Sequence, residues 1–148
     1  MTSSVLVTGA GSGIGLAIAE HFVKKDYYVI VTDINEKQLQ HARDHLPRDR
    51  CQFLTLDVTQ SNSVSALKSQ LQKQPDIVIN NAGVQHVAHL DEFPMEKWDF
   101  LIQVMLVGVA RVTQAFLPHM KQQNYGRIIN IGSLHSIVAS PYKTAYIA

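Results

Sequence analysis

Val5-Leu6-Val7-Thr8-Gly9-Ala10-Gly11-Ser12-Gly13-Ile14-Gly15 sets a short aliphatic run directly against a turn crowded with glycine. An uninterrupted apolar run of this length, bounded by a turn signal, reads as a strand buried on both faces. Glycines let the chain reverse tightly, and the residues from about Gly13 to Lys25 carry a helical pattern. Strand, glycine turn and helix in immediate succession begin a parallel βαβ unit.

The same alternation continues outward. Tyr28 to Asp33, Gln52 to Asp57, Ile77 to Asn80 and Arg127 to Ile131 read as further strands. Helical patterns separate them at Glu36 to Leu46, Ser61 to Lys73 and about Pro94 to Gln122. Near-continuous apolar strands joined by helices of ten or more residues require a parallel sheet covered on both faces. Right-handed crossovers then give a doubly wound, Rossmann-type α/β sandwich. No repeat, linker or low-complexity tract divides the 148 residues, so one domain is expected.

Bulk properties narrow the partners. A net charge of +1 offers nothing for nucleic acid or an acidic membrane surface. The longest strongly apolar stretch, Val104 to Ala110, is far short of the ~20 residues that span a bilayer, and a soluble protein is expected. Met1 to Ser4 carry no basic residue ahead of an apolar run, so no signal peptide is read. The single cysteine, Cys51, cannot form an intrachain disulfide, and a cytoplasmic setting is expected. His41 and His45 stand four apart on one helix, but no third ligand is evident. They read as a solvated face, as do His21, His89 and His119, and no metal site is expected.

The first turn can do chemistry that a packing turn cannot. Free N–H groups and the helix dipole at a helix N-terminus favour an anion, and glycines let a pyrophosphate come close. Thr8, Gly9, Ser12, Gly13, Ile14 and Gly15 are the residues placed for this. The spacing, Gly9, Gly13 and Gly15, is Gly-x-x-x-Gly-x-Gly, and such a turn also occurs for packing alone. Asp33 shifts the balance, since it ends the second strand 18 residues after Gly15. A carboxylate there can accept both ribose hydroxyls of NAD and repels the 2′-phosphate of NADP. The alternative for Asp33 is a cap on the helix that follows. Asp57 and Val58, at the end of the third strand, are placed to face the adenine.

Three motifs then fall in order. Thr8-Gly9-x-x-x-Gly13-x-Gly15, Asn80-Asn81-Ala82-Gly83, and Ser133 thirteen residues before Tyr146 together resemble the short-chain dehydrogenase/reductase family over the whole chain. The resemblance implies that Tyr146 is the general acid/base and that Ser133 hydrogen-bonds the same substrate oxygen. It also implies that Asn81, Ala82 and Gly83 face the cofactor. A phenol with an ordinary pKa of ~10 is a poor base near neutrality. The family lowers it with a lysine four residues after the tyrosine, which here is position 150, past Ala148. Many members carry an asparagine in the long fourth helix where this chain has Met105, which cannot support a relay water in that way.

Gly83-Val84-Gln85-His86, Glu92 to Trp98, Leu117 to Lys121, Gly126 to Ile131, Ser133-Leu134-His135 and Ala139 to Tyr146 are more particularly similar to the D-3-hydroxybutyrate dehydrogenases. That resemblance implies a carboxylate held by Gln85, His135 and Lys143, NAD as cofactor, and a homo-oligomer, a tetramer at full length. The expected reaction is hydride transfer between nicotinamide and the secondary alcohol of a short 3-hydroxy acid. A sugar, steroid or acyl thioester substrate is the enzymatic alternative. A dinucleotide-binding fragment without turnover is the other, because a six-stranded fold needs a strand beyond these five and the chain is expected to be C-terminally incomplete.

Overall fold

The computed structural model describes residues 2–148. Five strands form one wholly parallel sheet: β1 (Ser4–Thr8), β2 (Tyr28–Asp33), β3 (Cys51–Thr55), β4 (Ile77–Asn80) and β5 (Arg127–Asn130), in the order β3-β2-β1-β4-β5. The helices between them are α1 (Gly13–Lys24), α2 (Glu36–His45), α3 (Ser61–Gln70), α4 (Met95–Ile102) and α5 (Gly108–Gln122), and a short α6 (Thr144–Ile147) ends the chain. The doubly wound architecture read from the sequence is the one found.

Period-two alternation within the strands builds the two core layers. Val5, Val7, Val29, Val31, Ile77 and Ile79 point to one face, where Leu16, Ala19, Leu39 and Ala42 of α1 and α2 cover them. Leu6, Ile30 and Val78 point to the other, under Val64 and Leu67 of α3 and Val112, Phe116 and Met120 of α5. β1 and β4 are buried along their whole length, as central strands of a covered sheet must be. Cys51 lies in the first layer, where burial pushes its thiol up to about 12 and leaves it unreactive.

Two details differ from the sequence expectation. β3 ends at Thr55, two residues early, so Leu56 and Asp57 lie past the ladder. The long helix is interrupted between α4 and α5 by a π-helical turn, Gln103–Val107. Unlike β1 and β4, β5 has all four residues exposed: it pairs only with β4, and Ile128 and Ile129 are 38% and 42% exposed although α5 borders Ile128 through Leu117 and Met120.

From Met95 to Gln122 the helical stretch is 28 residues, with a mean hydropathy of 1.7 over its most apolar 18. By length and composition alone it could cross a membrane. Packing accounts for that composition differently, since Leu101, Val104, Val112, Phe116 and Met120 are all buried within this domain.

At the N-terminal end of the sheet Asp76 ties three segments together. Its carboxylate accepts from the Ser4 N–H at 2.9 Å, the Ser4 hydroxyl at 3.2 Å and the Gln123 amide at 3.0 Å. Burial alone would raise its pKa, but these bonds and the Lys73 charge outweigh it and hold the carboxyl below its usual range. A depressed folded value contributes stability above the unfolded carboxylate range, and that stability is lost as pH falls through the folded value. Asp76→Asn is therefore expected to cost about 1–3 kcal/mol at neutral pH and to show a flatter acid dependence than wild type. Urea unfolding across the acidic range checks this; parallel pH profiles for the two proteins would sink it.

Candidate active site

The strand order reverses at β1, with β2 and β3 to one side and β4 and β5 to the other. Loops leaving β1 and β4 must diverge there, and the crevice between them is where a doubly wound sheet takes its ligand. The Thr8 hydroxyl accepts from the N–H groups of Asn81 and Ala82, both at 3.0 Å. The Asn81 carboxamide donates to the carbonyls of Thr8 and Gly9, also both at 3.0 Å. The glycine turn and the Asn80-Asn81-Ala82-Gly83 segment are thus one bonded unit.

Glycine is required within it. Gly9 has φ +63°, and a Cβ on it would stand 2.9 Å from the Ala82 Cα. A Cβ on Gly15 would stand 2.2 Å from the Gly9 carbonyl oxygen and 2.6 Å from the Asn81 amide nitrogen. Ser12 takes the N-cap position of α1 in extended backbone and makes no capping bond with its side chain. The first-turn N–H groups of α1 have no partner within the helix, as at any helix start.

Beside this turn lies a crevice of about 230 Å³ lined by Gly9, Ser12, Asp33, Asp57, Val58, Asn81, Ala82 and Gly83. Eight of the residues expected at the cofactor site therefore meet in one place. Asp33 Oδ2 accepts from the Gly11 N–H and Oδ1 from the Asn35 N–H, both at 3.0 Å, so its carboxylate is fixed at the crevice wall. It does not cap α2; that position belongs to Asn35, whose side chain accepts from the N–H groups of Lys37 and Gln38. Asp57 turns one oxygen back to the Thr59 N–H and hydroxyl, which leaves its Val58 neighbour as the apolar wall. Sequence reasoning missed Ile34, Leu56, Thr59, Val84, Phe100 and Val104, which complete the lining. Ile34 alone had a signal, its place directly after the strand-end carboxylate, and the structure leaves it 61% exposed.

A second cavity of about 510 Å³ shares Asn81, Ala82 and Gly83 with the first and adds Ile14, Gln85, Met105 and Tyr146. Ser133 and Tyr146 face a smaller adjoining space with Met105. Met105 sits in the π turn, a device often found where a helix borders a site. It packs on the small cluster of Phe93, Leu101 and Ala145, on which Tyr146 also packs, and its thioether offers no strong hydrogen bond. The buried Asn80 amide, also missed from the sequence, donates to Asn130 at 2.9 Å and Thr113 at 3.3 Å and braces β5 just ahead of Ser133.

Around Tyr146 the remaining residues converge. His135 packs edge-on to the Tyr146 ring, with centroids 6.1 Å apart. Lys143 Nζ lies 3.0 Å from His135 Nε2. An ammonium has only protons to give, so Nε2 must be bare and the ring proton sits on Nδ1, 3.4 Å from the Val138 carbonyl. Both His135 nitrogens are thereby engaged, and the histidine orients the lysine. Ser133 Oγ accepts from the His135 N–H at 3.2 Å, which leaves its own proton to donate. Another cleft, about 630 Å³, lies at the opposite end of the strands beside Tyr28 and the Asp26–Arg50 ion pair, away from all of these groups.

Gly15→Ala is expected to lower the unfolding temperature and weaken dinucleotide binding at least about tenfold, because the added methyl meets backbone rather than a flexible tip. Thermal melts and a fluorescence titration with reduced dinucleotide measure both. Wild-type values in the two assays would mean that the turn relaxes.

Residues 3–148 match the short chain dehydrogenase family. The chain is 36% identical over 153 aligned residues to the D-beta-hydroxybutyrate dehydrogenase of Cupriavidus necator, covering 98% of this chain and 58% of that one. It is 34% identical over 155 residues to the D-beta-hydroxybutyrate dehydrogenase of Rhizobium meliloti, covering 100% and 60%. Among solved structures, a closed serine dehydrogenase complexed with NADP+ superposes with a TM-score of 0.91 at 31% identity, covering 97% of this chain and 59% of that one. A gluconate 5-dehydrogenase from Burkholderia cenocepacia, complexed with NADP and tartrate, gives 0.86 at 33% identity, covering 98% and 59%. The chain spans a little under two thirds of the length of these relatives. With the glycine turn, the Asn-Asn-Ala-Gly segment and the Ser133–Tyr146 pair on adjoining cavities, it belongs to the short-chain dehydrogenase family.

Proposed function

We propose that this chain is the cofactor-binding part, with the serine and tyrosine of the active site, of an NAD-dependent dehydrogenase acting on a short 3-hydroxy acid. The reaction is 3-hydroxybutyrate to acetoacetate. The observation that carries the reading is the gathering of Gln85, His135 and Lys143 near Tyr146, which offers one cation, oriented by His135, and one neutral donor, the Gln85 amide. A small hydroxy acid has its carboxylate one short carbon chain from the reacting oxygen, and such an arrangement fits it. The two hydroxybutyrate dehydrogenases among the relatives support the same substrate class.

The site residues divide the work. Lys143 keeps two ammonium protons after its bond to His135, and these meet the carboxylate together with the Gln85 amide. Ser133 donates its hydroxyl proton to the substrate oxygen and holds it toward Tyr146. The Tyr146 phenolate oxygen takes the alcohol proton as the C3 hydride departs, and returns a proton in the reverse direction. Bound dinucleotide supplies the hydride acceptor. Thr8, Gly9, Ser12, Gly13, Ile14 and Gly15 receive its pyrophosphate at the start of α1. Asp57 and Val58 line the crevice where its adenine would lie, and Asn81, Ala82 and Gly83, shared by both cavities, would border its reacting ring.

Asp33 supports NAD over NADP, since a fixed carboxylate at the ribose end repels a 2′-phosphate. Both structural relatives described above hold NADP, so the preference has to be measured in this protein. One other reading is dinucleotide binding without turnover, since the crevice beside the glycine turn is formed apart from the space that Ser133 and Tyr146 line. Self-association into a homo-oligomer belongs to the main reading, with Phe100, Leu106 and Leu117 exposed along the long helix.

Steady-state assays with 3-hydroxybutyrate decide among these. Asp33→Ala is expected to reduce the preference for NAD over NADP at least about tenfold. A wild type that already prefers NADP removes the cofactor assignment. Lys143→Ala is expected to raise KM for 3-hydroxybutyrate by about tenfold or more, the size of a lost charge-assisted bond, with KM for the dinucleotide unchanged. An unchanged KM removes the carboxylate clamp, and dinucleotide binding without turnover of any hydroxy acid leaves the second reading.

A further inference from the structure

Two loops far apart in sequence bring the substrate-facing groups together: the segment after β4, which carries Gln85, and the segment before α6, which carries His135 and Lys143. The first is anchored at its far end by apolar packing, where His86 meets Phe93 and Phe93 meets Trp98, with ring centroids 5.2 and 5.8 Å apart. Farther along this loop, Ala88 and His89 meet the second loop instead. The Ala88 N–H donates to the Tyr142 carbonyl at 3.1 Å, and the His89 ring lies against the Tyr142 ring with centroids 4.4 Å apart.

Tyr142 holds φ +66°, the left-handed region that a bulky side chain adopts only when its surroundings impose it. Core burial is not what imposes it, because Tyr142 is 50% exposed. Pro141 and Tyr142 form a turn whose third residue takes a positive φ, and the ring contact and the backbone bond tie that turn to the first loop. Directly after this strained residue comes Lys143, whose ammonium reaches His135 beside Tyr146. Neither His89 nor Tyr142 borders the cavities that hold Gln85, Ser133 and Tyr146.

We infer that His89 and Tyr142 form a clasp between the two loops, and that Tyr142 is a positioning residue. Its left-handed backbone aims Lys143 at His135 beside Tyr146, and the clasp sets how well the substrate carboxylate is bound without touching it. This rests on the hydroxy-acid reading for its kinetic consequence, while the clasp itself is a property of the loops. A tilted ring contact of this kind acts through geometry, so its loss should appear in carboxylate binding and leave the proton and hydride steps in place.

The test is a set of variants, Tyr142→Phe, Tyr142→Ala, Tyr142→Gly and His89→Ala, assayed in the purified protein with 3-hydroxybutyrate. Tyr142→Ala and His89→Ala are expected to raise KM for the hydroxy acid by roughly tenfold, with kcat and the dinucleotide KM within about twofold of wild type. Tyr142→Phe keeps the ring and should behave as wild type. Tyr142→Gly takes φ +66° without strain but lacks the ring, and should match Tyr142→Ala. In a Lys143→Ala background His89→Ala should be silent, because the lysine is the route by which the clasp acts. An unchanged KM in Tyr142→Ala and His89→Ala, or an undiminished His89→Ala effect without Lys143, overturns the proposal. A wild type without activity on 3-hydroxybutyrate removes the hydroxy-acid reading, and the side-chain 15N resonances of His135 then judge the clasp. Breaking it should shift the Nε2 signal as Lys143 moves away; identical spectra in wild type and His89→Ala would overturn it.

Discussion

The bond set between Thr8 and Asn81 fixes the end of the sheet at which a ligand can bind. β1 and β4 are neighbours paired in parallel, but their ladder stops at Val7 and Ile79. Beyond that point the two chains turn apart, and their amides and carbonyls would lie buried without partners. One hydroxyl accepting two N–H groups and one carboxamide donating to two carbonyls satisfy them across a gap of more than seventy residues. Each such group left unpaired would cost about 1–3 kcal/mol. The stitch therefore holds the crevice open in a defined shape, and Gly9 and Gly15 are needed because the two backbones approach too closely for any Cβ.

What surrounds the stitch divides by chemistry. Toward β2 and β3 the crevice has an apolar wall from Val58 and Val104 and two fixed carboxylates, Asp33 and Asp57. Toward β5 it widens and gathers Gln85, Ser133 and Tyr146. The long helix from Met95 to Gln122 borders both parts, and its π turn falls at Met105, whose side chain packs on two apolar clusters, one of them shared with Tyr146. The apolar composition of this helix is the composition of a core helix that also borders a cavity. Its buried residues pack under the sheet, while Phe100, Leu106 and Leu117 remain exposed.

Tyr146 is where the separate segments meet. The β5 exit brings Ser133, the loop beyond it brings His135, and the strained turn at Tyr142 brings Lys143. The pairing of Lys143 with His135 fixes the histidine tautomer and makes the histidine an orienting group. Composition could list these residues together, but not show that the histidine and lysine bind each other.

The sequence by itself determined the strand and helix order, the parallel sheet, the glycine turn and the family to which its motifs point. Each of these rests on spacings within a few residues: alternation in a strand, helical periodicity, or a turn written in glycine. It also placed Asp33, Asp57 and Val58 at strand ends, where a doubly wound sheet always turns its loops toward the ligand. Tertiary structure alone decided the rest. The early end of β3, the π turn at Met105, the exposure of β5 and the two bonds that fix Asp33 depend on which segments are pressed together. So do the linings from Ile34 and Phe100, and the contact of His89 with Tyr142 across 53 residues of chain. Local pattern encodes which face of an element is apolar; it does not encode which distant side chain will stand against that face.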